Sequence, residues 1–316
     1  MNEFKKGYNN KRYYTLDYFY KKKFGCKVAK ISLNGGFTCP NIDGKISYGG
    51  CIYCSKLGSG EFAGNKLDSL EQQFNSIKKI MDHKWKNLKY IAYFQANSNT
   101  YAEVDVLKEK FEKVLKFQDV VGLNIATRCD CITEECLDYL EDLSKRTYLT
   151  IELGLQTIHE KTAILINRGH TLKCFSDMVK KLRNRNINVV VHIINGLPFE
   201  TKKMMLETVK YLNNLDIQGI KIHMLLILKD TKLAEIYKKK PFHVLTKDEY
   251  IDIVVEQLEN LDDNIVVNRI TGDAKVDDLI EPIWTLKKVV VLNDIDKMLK
   301  FRNTYQGINL KKAVLK

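Results

Sequence analysis

Six short runs rich in β-branched and aromatic residues alternate with amphipathic helical stretches over the first 230 residues, and this alternation narrows the possible folds to a few. The runs are Val28–Asn34, Tyr90–Gln95, Val121–Thr127, Leu149–Leu155, Asn188–Ile194 and Gly219–Met224. Between them, apolar residues recur every three to four positions, which is the period of a helix that packs one face on a sheet. Repeated β-α units imply parallel strands joined by right-handed crossovers. The pattern therefore predicts an α/β fold, as a closed barrel, a partial barrel or a doubly wound sheet.

Threonines mark the starts of two predicted helices. Thr133 precedes a helix over 134–143, and Thr201 opens another shortly after Pro198, as helix N-caps do. Beyond residue 230 the pattern predicts a helix over 246–261, a short strand over 264–269 and one or two helices over 281–301. Since there is no Pro/Ser-rich linker, one domain with extended ends is the simplest interpretation.

In barrels and doubly wound sheets alike, ligands bind beyond the carboxyl ends of the strands. We therefore expect the functional residues in the segments that follow the six strands. These segments begin after Asn34, Gln95, Thr127, Leu155, Ile194 and His223.

The net charge of +12 comes from the two ends of the chain. Residues 1–30 carry nine Lys or Arg against two acids, and residues 297–316 carry six and no acid. The N-terminal lysines are mixed with aromatic residues, a combination that binds single-stranded RNA. The alternative is a solvated basic tail whose tyrosines pack over the bottom of the barrel.

No apolar run approaches the ~18–20 residues that span a membrane. The first residues also lack the apolar core of a signal peptide. We therefore expect a cytoplasmic protein without a membrane partner.

Eight cysteines in a chain without an export signal favour free thiols over disulfides. Cys51 and Cys54 have the spacing that places two thiolates on one metal or cluster, and Cys39 adds a third across a glycine-containing loop. Three thiolates leave one coordination position open, and we favour an iron–sulfur cluster. The alternatives are a zinc site completed by a distant Cys or His and a simple redox pair.

On these residues the chain resembles the radical S-adenosylmethionine (SAM) enzymes, whose [4Fe–4S] cluster is held by three cysteines in the loop after the first strand. The spacing Cys39-x11-Cys51-x2-Cys54, ending Cys-Ile-Tyr-Cys, is similar to the subset related to the elongator tRNA-modifying subunit. The bacterial YhcC/YtqA-type members of this subset also match in length and in the motif at 94–101.

Further motifs of the subset occur in the same order over about residues 25–235. They are Ala126-Thr127-Arg128-Cys129-Asp130, with Cys129 at the usual proline position, Glu152-Leu153-Gly154-Leu155-Gln156-Thr157, Arg168-Gly169-His170-Thr171, Gly196-Leu197-Pro198 and Lys221-Ile222-His223.

The resemblance implies a partial (β/α)6 TIM-like barrel over 25–235, with a basic N-terminal arm over 1–24 and a helical C-terminal extension over 236–316. It also implies that a [4Fe–4S] cluster held by Cys39, Cys51 and Cys54 reductively cleaves SAM to a 5′-deoxyadenosyl radical. A reducing partner such as flavodoxin or ferredoxin would supply the electron.

By the same resemblance, Gln95 and Asn97 would meet the SAM amino group, Arg168 its carboxylate, and Glu152 and Gln156 the ribose hydroxyls. The expected cofactor-binding set also includes Tyr53, Arg128 and Gly196. The alternative for Glu152 is an ion pair with a neighbouring lysine, and for Arg168 a solvated loop charge. His170 is the histidine best positioned for substrate.

A second cysteine group, Cys129, Cys131 and Cys136, falls on the same predicted face. We interpret it as buried thiols rather than a second cluster, because free cysteines behave as small hydrophobic residues. Cys131 is the candidate exception, as a catalytic thiol.

The resemblance implies tRNA as the substrate, held by the basic ends, with 269–273 and 297–316 completing the mouth of the site. The expected reaction trims a carboxymethylaminomethyl group at C5 of wobble uridine to aminomethyl. The chain ends before an acetyltransferase domain, so acetyl-CoA use is not expected. The alternatives are a radical SAM enzyme acting on a small metabolite or a protein, and a non-catalytic zinc-containing RNA-binding protein.

Overall fold

Seven parallel strands form one curled, open sheet in this computed structural model, which describes residue 4 and residues 11–314. The strands, numbered along the chain, are β1 Val28–Leu33, β2 Lys89–Phe94, β3 Val120–Thr127, β4 Tyr148–Gln156, β5 Asn188–Asn195, β6 Gly219–Met224 and β8 Val266–Arg269. Their spatial order is β1-β2-β3-β4-β5-β6-β8. Because the order follows the chain without reversal, the sheet is a partial barrel rather than a doubly wound sheet. The six predicted strands are confirmed.

Helices that join successive strands pack on the outside of the sheet. They are α2 Leu70–Lys84, α3 Val104–Leu115, α4 Glu134–Arg146, α5 Glu160–Leu165, α6 Leu172–Asn184 and α7 Lys202–Leu212. The Thr133 and Thr201 hydroxyls accept backbone N–H groups of α4 and α7, as predicted. In α2 a capping box of Ser69 and Gln72 starts the helix.

The chain beyond β6 both extends the sheet and covers it. Its elements are a short antiparallel pair β7 Ile227–Leu228 and β9 Leu279–Glu281, the helices α8 Lys232–Lys239, α9 Lys247–Asn260, α10 Lys288–Phe301 and α11 Ile308–Val314, and a 3-10 turn Ile283–Lys287. The strand predicted at 264–269 is β8, and it pairs in parallel with β6. The barrel sheet therefore continues past residue 235. Within the described residues, no helix is both long and apolar enough to cross a bilayer.

Helix α1 (Leu16–Phe24) packs against the bottom of the barrel. Tyr20 is buried, and the rings of Phe19, Tyr20 and Phe24 contact Tyr148, the first residue of β4. These aromatic side chains lie at the end of the barrel opposite the carboxyl ends of the strands, which is the alternative to RNA stacking. Lys5, Lys6 and Tyr8 of the predicted RNA-binding arm lie outside the described residues.

The segment after α10 returns to the same bottom end. The Arg12 guanidinium donates to Asn303 and to the Thr304 carbonyl, and Gln306 bonds the backbone of Arg12 and Tyr14. For 303–306 the expectation that the basic C-terminal segment lies at the mouth is therefore wrong. The contacts that place this segment are made by isolated polar side chains, which give no periodic signal in the sequence.

A small apolar cluster anchors the cysteine loop to the upper end of the barrel. Its buried members are Ile52, Ile166, Leu197, Leu225, Ile227 and Leu233. Ile52 lies between Cys51 and Cys54, and its N–H donates to the Ile166 carbonyl while its own carbonyl accepts from Leu233. Burial of this side chain fixes the loop above the carboxyl ends of the strands.

Candidate active site

A cavity of about 290 Å³ lies at the carboxyl ends of the strands, where the strand order predicted a ligand site. Among its lining residues are Cys39, Cys51, Tyr53, Cys54, Gln95, Asn97, Arg128, Glu152, Gln156, Arg168 and His170. The fold thus brings together all the predicted site residues except Cys131 and Gly196.

Two asparagine amides tie the cysteine loop to the segment after α5. The Asn41 amide donates to the Asn167 carbonyl and, at 3.6 Å, to the sulfur of Cys51. The Asn167 amide donates back to the Gly50 carbonyl at 2.8 Å. Gly49 and Gly50 both have left-handed backbone (φ +79° and +78°), which glycine adopts at no steric cost. The loop is therefore shaped by its own sequence and tied to the segment after α5.

The three thiols of this loop are free and partly exposed to the cavity. Burial raises the pKa of Cys51, although Arg128 and the Tyr53 hydroxyl lower it in part, and burial raises the pKa of Cys54 to about 12. The surrounding protein therefore does not favour the thiolate forms of Cys51 and Cys54, whereas a bound metal cluster would supply the positive charge that does. The donor set fits a thiolate-ligated cluster in this respect. Among the described residues, no group of three or more His, Cys, Asp or Glu side chains is arranged compactly enough to hold a metal ion.

Gln95 and Asn97 follow β2 and hold the cysteine loop from the other side. The Gln95 amide donates to the Ser59 carbonyl at 2.7 Å, and the Asn97 amide donates to the Phe37 carbonyl at 3.0 Å. Each bond uses one N–H of the amide and leaves the amide oxygen as an acceptor. Acceptors are what an amino group of SAM requires, so the predicted role remains compatible with the geometry.

Two arginines form the wall beside the loop, and both are largely occupied. Arg128 makes a bidentate pair with Asp130 (2.7 and 2.9 Å) and donates its third nitrogen to the Arg168 carbonyl. Arg168 is 2% exposed and donates to the carbonyls of His170, Leu155 and Thr157.

The remaining terminal nitrogen of Arg168 lies 3.5 Å from Glu160 and makes no hydrogen bond to the described residues. Arg168 is thus not a solvated loop charge, and its guanidinium does not have two free nitrogens for a bidentate ligand. It fixes the segment after β4, with one nitrogen left over for a ligand such as the SAM carboxylate.

Glu152 is fully buried in the interior of the barrel, with partners from four other strands. Its first oxygen accepts from Lys30 (2.8 Å) and Asn124 (2.6 Å), and its second from His192 (2.8 Å) and Lys221 (2.5 Å). Burial alone would raise the pKa of Glu152, but Lys221, Lys30 and His192 outweigh it and hold the pKa well below its usual range. The carboxylate is therefore ionised and its acceptor positions are filled. This matches the ion-pair alternative, and the geometry gives no support to ribose binding by Glu152.

Gln156 and His170 lie on the same wall of the cavity. Gln156 has left-handed backbone (φ +67°) at the end of β4, an uncommon conformation that recurs at functional sites. The two ring nitrogens of His170 face the carbonyls of Gly154 (3.2 Å) and Thr171 (3.4 Å). Burial and the charges of Arg168 and Arg128 lower the pKa of His170 to about 4. This shift favours the neutral ring, which has a single N–H and can donate to only one of the two carbonyls.

Cys131 and Gly196 are the two predicted site residues outside the cavity lining. Cys131 is 5% exposed, and burial raises its pKa to about 12, so the geometry does not favour a reactive thiolate there. Cys129 lies 3.6 Å from Cys174, and Cys136 is buried in the core, as expected for structural thiols. Gly196 has left-handed backbone and lines a separate groove after β5.

Sequence reasoning missed the central part of this site. Lys221 on β6 donates to the Tyr93 hydroxyl (3.1 Å) and to Glu152 from a buried position, and burial lowers its pKa to about 7. A usable signal existed: Lys221 and His223 are polar residues two apart in an otherwise apolar strand. This spacing places both on the inner face of the sheet.

Comparison with known proteins agrees with the geometry. The chain matches the profile of the Radical SAM superfamily over residues 46–212 and that of the Radical_SAM C-terminal domain over 217–300. It is 51% identical to the uncharacterized protein YtqA of Bacillus subtilis, over 97% of this chain and 95% of that protein. It is 33% identical to the protein YhcC of Escherichia coli, over 88% and 89%.

The fold is similar to that of a solved archaeal protein. The structure of Methanocaldococcus infernus Elp3 superposes with a TM-score of 0.66 at 16% identity, covering 88% of this chain and 64% of that one. This chain therefore spans somewhat less than two thirds of that protein, and the similarity concerns the fold.

Proposed function

The chain belongs to the radical SAM superfamily, and from this premise we propose that it modifies the C5 side chain of wobble uridine in tRNA, trimming carboxymethylaminomethyl to aminomethyl. In the proposed reaction the terminal N–CH2 carbon is oxidised by two electrons, with SAM as the oxidant, and water then breaks its bond to nitrogen, so that the carboxymethyl group leaves as glyoxylate. The observation that carries the proposal is the cavity itself, in which the three-cysteine loop faces the carboxyl ends of all the central strands. Members of this family use a [4Fe–4S] cluster and SAM. When bound, the cluster supplies the electron that cleaves SAM. We propose Cys39, Cys51 and Cys54 as its protein ligands.

The chain's own residues would orient the cofactor and exclude water from it. The Gln95 and Asn97 oxygens are available to accept from the SAM amino group, and the spare Arg168 nitrogen is available to donate to its carboxylate. Gln156 lines the same wall, and we propose that its amide bonds the ribose. Ile52 and Tyr53 cover the loop from the apolar side.

An exposed aromatic residue near the carboxyl ends of the strands supports an RNA substrate. Phe199, in the turn after β5, is 74% exposed and has left-handed backbone (φ +67°), which is rare for a bulky residue. It lines a groove of about 240 Å³ together with Lys240 and Phe242. Lys238, Lys239 and Lys240 are all exposed. The Phe199 ring contacts Phe242 at 6.4 Å between centroids and is otherwise exposed. An exposed aromatic ring beside a lysine cluster is the combination that holds an unstacked base and its phosphates.

Replacing Phe199 with asparagine tests this surface. Asparagine tolerates the left-handed backbone, so the variant removes the ring without adding strain. We expect tRNA binding to weaken by about 1–3 kcal/mol, which is the contribution of one base stacked on an aromatic ring. Filter binding at several salt concentrations measures the affinity.

The matched control is Phe301→Asn, which removes another strongly exposed ring at the far end of α10. Its affinity for tRNA should equal that of the wild type. If both variants bind tRNA as the wild type does, Phe199 is not part of an RNA-binding surface.

A further inference from the structure

Two like charges lie side by side on the inner face of the sheet. Lys221 of β6 and Arg269 of β8 are partners in the strand register, and both line the cavity. Like charges directly opposite each other on neighbouring strands destabilise a sheet. Glu152 pairs with Lys221 and Asp273 pairs with Arg269, and these two carboxylates offset the repulsion in part.

The carboxylates near this pair are shared among more cations than they neutralise. Glu152 is divided between Lys30, Lys221 and the ring of His192. Asp273 contacts both Arg269 and, at 3.1 Å, Lys288. Over the described residues of this network, two carboxylates thus face four basic side chains, and the excess is positive.

Arg269 also has unused bonding capacity. One terminal nitrogen bonds Asp273, while its Nε is buried and has no hydrogen-bond partner among the described residues. A buried N–H without a partner costs about 1–3 kcal/mol. A ligand that accepts from Arg269 recovers this free energy.

We infer that the Lys221–Arg269 pair binds the terminal carboxylate of the substrate's side chain. The inference rests on the proposed function, because the carboxymethylaminomethyl group ends in a carboxylate. Charge-assisted bonds from a guanidinium and an ammonium group are the strong partners of such an anion. The other arginines of the cavity are less suited. Arg128 is saturated by Asp130 and the Arg168 carbonyl, and the one spare nitrogen of Arg168 lies beside Glu160 and is assigned above to the SAM carboxylate.

The same pair distinguishes substrate from product. Both side chains carry a basic amine, but only the substrate also carries a carboxylate, so the product side chain has the more positive net charge. Lys221 and Arg269 would repel that charge, so the pair holds the substrate and favours release of the product.

The test compares binding of two tRNAs, one with carboxymethylaminomethyl and one with aminomethyl at the wobble uridine, without turnover. Wild type should bind the first about tenfold more tightly, which corresponds to about 1.4 kcal/mol. Arg269→Gln should remove this preference. The matched control is Lys288→Gln, because Lys288 contacts the same Asp273 but is 41% exposed. That variant should keep the preference.

Two other binding results would contradict the inference. If Arg269→Gln weakens both tRNAs equally, Arg269 binds phosphate and the inference is wrong. If wild type binds both tRNAs equally, the inference is wrong while tRNA remains the substrate class.

If wild type binds neither tRNA, the proposed function fails and a small probe decides the inference. N-Methylglycine has the same amine, methylene and carboxylate terminus. It should shift the His223 ring signal in NMR spectra saturably in wild type and not in Arg269→Gln, and its methyl ester should cause no shift. The absence of a shift in wild type would overturn the inference on its own.

Discussion

Replacing Cys51 with alanine is expected to remove both the bound iron and the cleavage of SAM. Cys51 lies in the middle of the proposed ligand set, and its sulfur lies within reach of Asn41, Tyr53 and Arg128. Changes beside a metal ligand cost roughly 10–100-fold in affinity or activity, so loss of a ligand should exceed that range. Iron analysis and 5′-deoxyadenosine formation after anaerobic reconstitution measure the two effects.

Cys26→Ala is the matched control for this variant. Cys26 is also a free, partly exposed thiol, but it precedes β1 at the bottom of the barrel and does not line the cavity. It should retain the iron content and SAM cleavage of the wild type. Retained cleavage in Cys51→Ala would contradict the assignment of this loop as the cluster site.

Replacing Glu152 with glutamine is expected to lower the free energy of unfolding by about 3–5 kcal/mol at neutral pH. The change leaves Lys221 and Lys30 in the barrel interior without their carboxylate, and breaking a buried pair from one side carries a cost of this size. Chemical denaturation of the apoprotein measures it. The control Glu134→Gln breaks the exposed pair with Lys181 and should cost less than about 1 kcal/mol.

The pH dependence of Glu152→Gln follows from the lowered pKa of Glu152. A carboxyl group with a lowered folded-state pKa stabilises the protein above its unfolded pKa, and this contribution is lost as the pH falls through the folded value. The difference between wild type and Glu152→Gln should therefore be largest near neutrality and shrink in acid. The double variant Glu152→Gln/Lys221→Met should recover part of the loss, because it removes one stranded charge. If the double variant is no more stable than Glu152→Gln, the loss of unfolding free energy comes from packing and not from the unpaired charge.

The sheet and the cysteine loop could be predicted from the sequence because both have short-range signals. The six strands alternate with amphipathic helices, and the sequence order of β1 to β6 is also their order in space. Cys51 and Cys54 are three residues apart, and the glycines around them permit the left-handed turns at 49 and 50. Such local patterns require no knowledge of tertiary contacts.

The interior network could not be predicted in this way, because its partners are far apart along the chain. Glu152 bonds Lys30 and Lys221 across separations of 122 and 69 residues. The motif match predicts that Glu152 binds the cofactor. The register of five strands instead places the Glu152 carboxylate in contact with side chains of the neighbouring strands. The position of β8 was missed for a similar reason, since a four-residue strand does not reveal its neighbour.

The function of the basic aromatic arm could not be predicted from its amino-acid composition. Lysines and tyrosines together predict RNA binding or bottom packing equally well. Tyr20 and Phe24 lie against Tyr148, under the barrel. Deleting this arm would therefore disturb the fold, and single substitutions such as Phe199→Asn are the better test of RNA binding.

The most direct test of the account is the formation of 5′-deoxyadenosine from SAM by anaerobically reconstituted, dithionite-reduced protein, with and without bulk tRNA from cells that lack the gene. We expect a brown protein whose product formation rises when this tRNA is added, together with aminomethyluridine in the recovered tRNA. Product formation that tRNA does not change would contradict the tRNA assignment and favour a small-molecule or protein substrate. A colourless protein that binds zinc and forms no product would contradict the central claim.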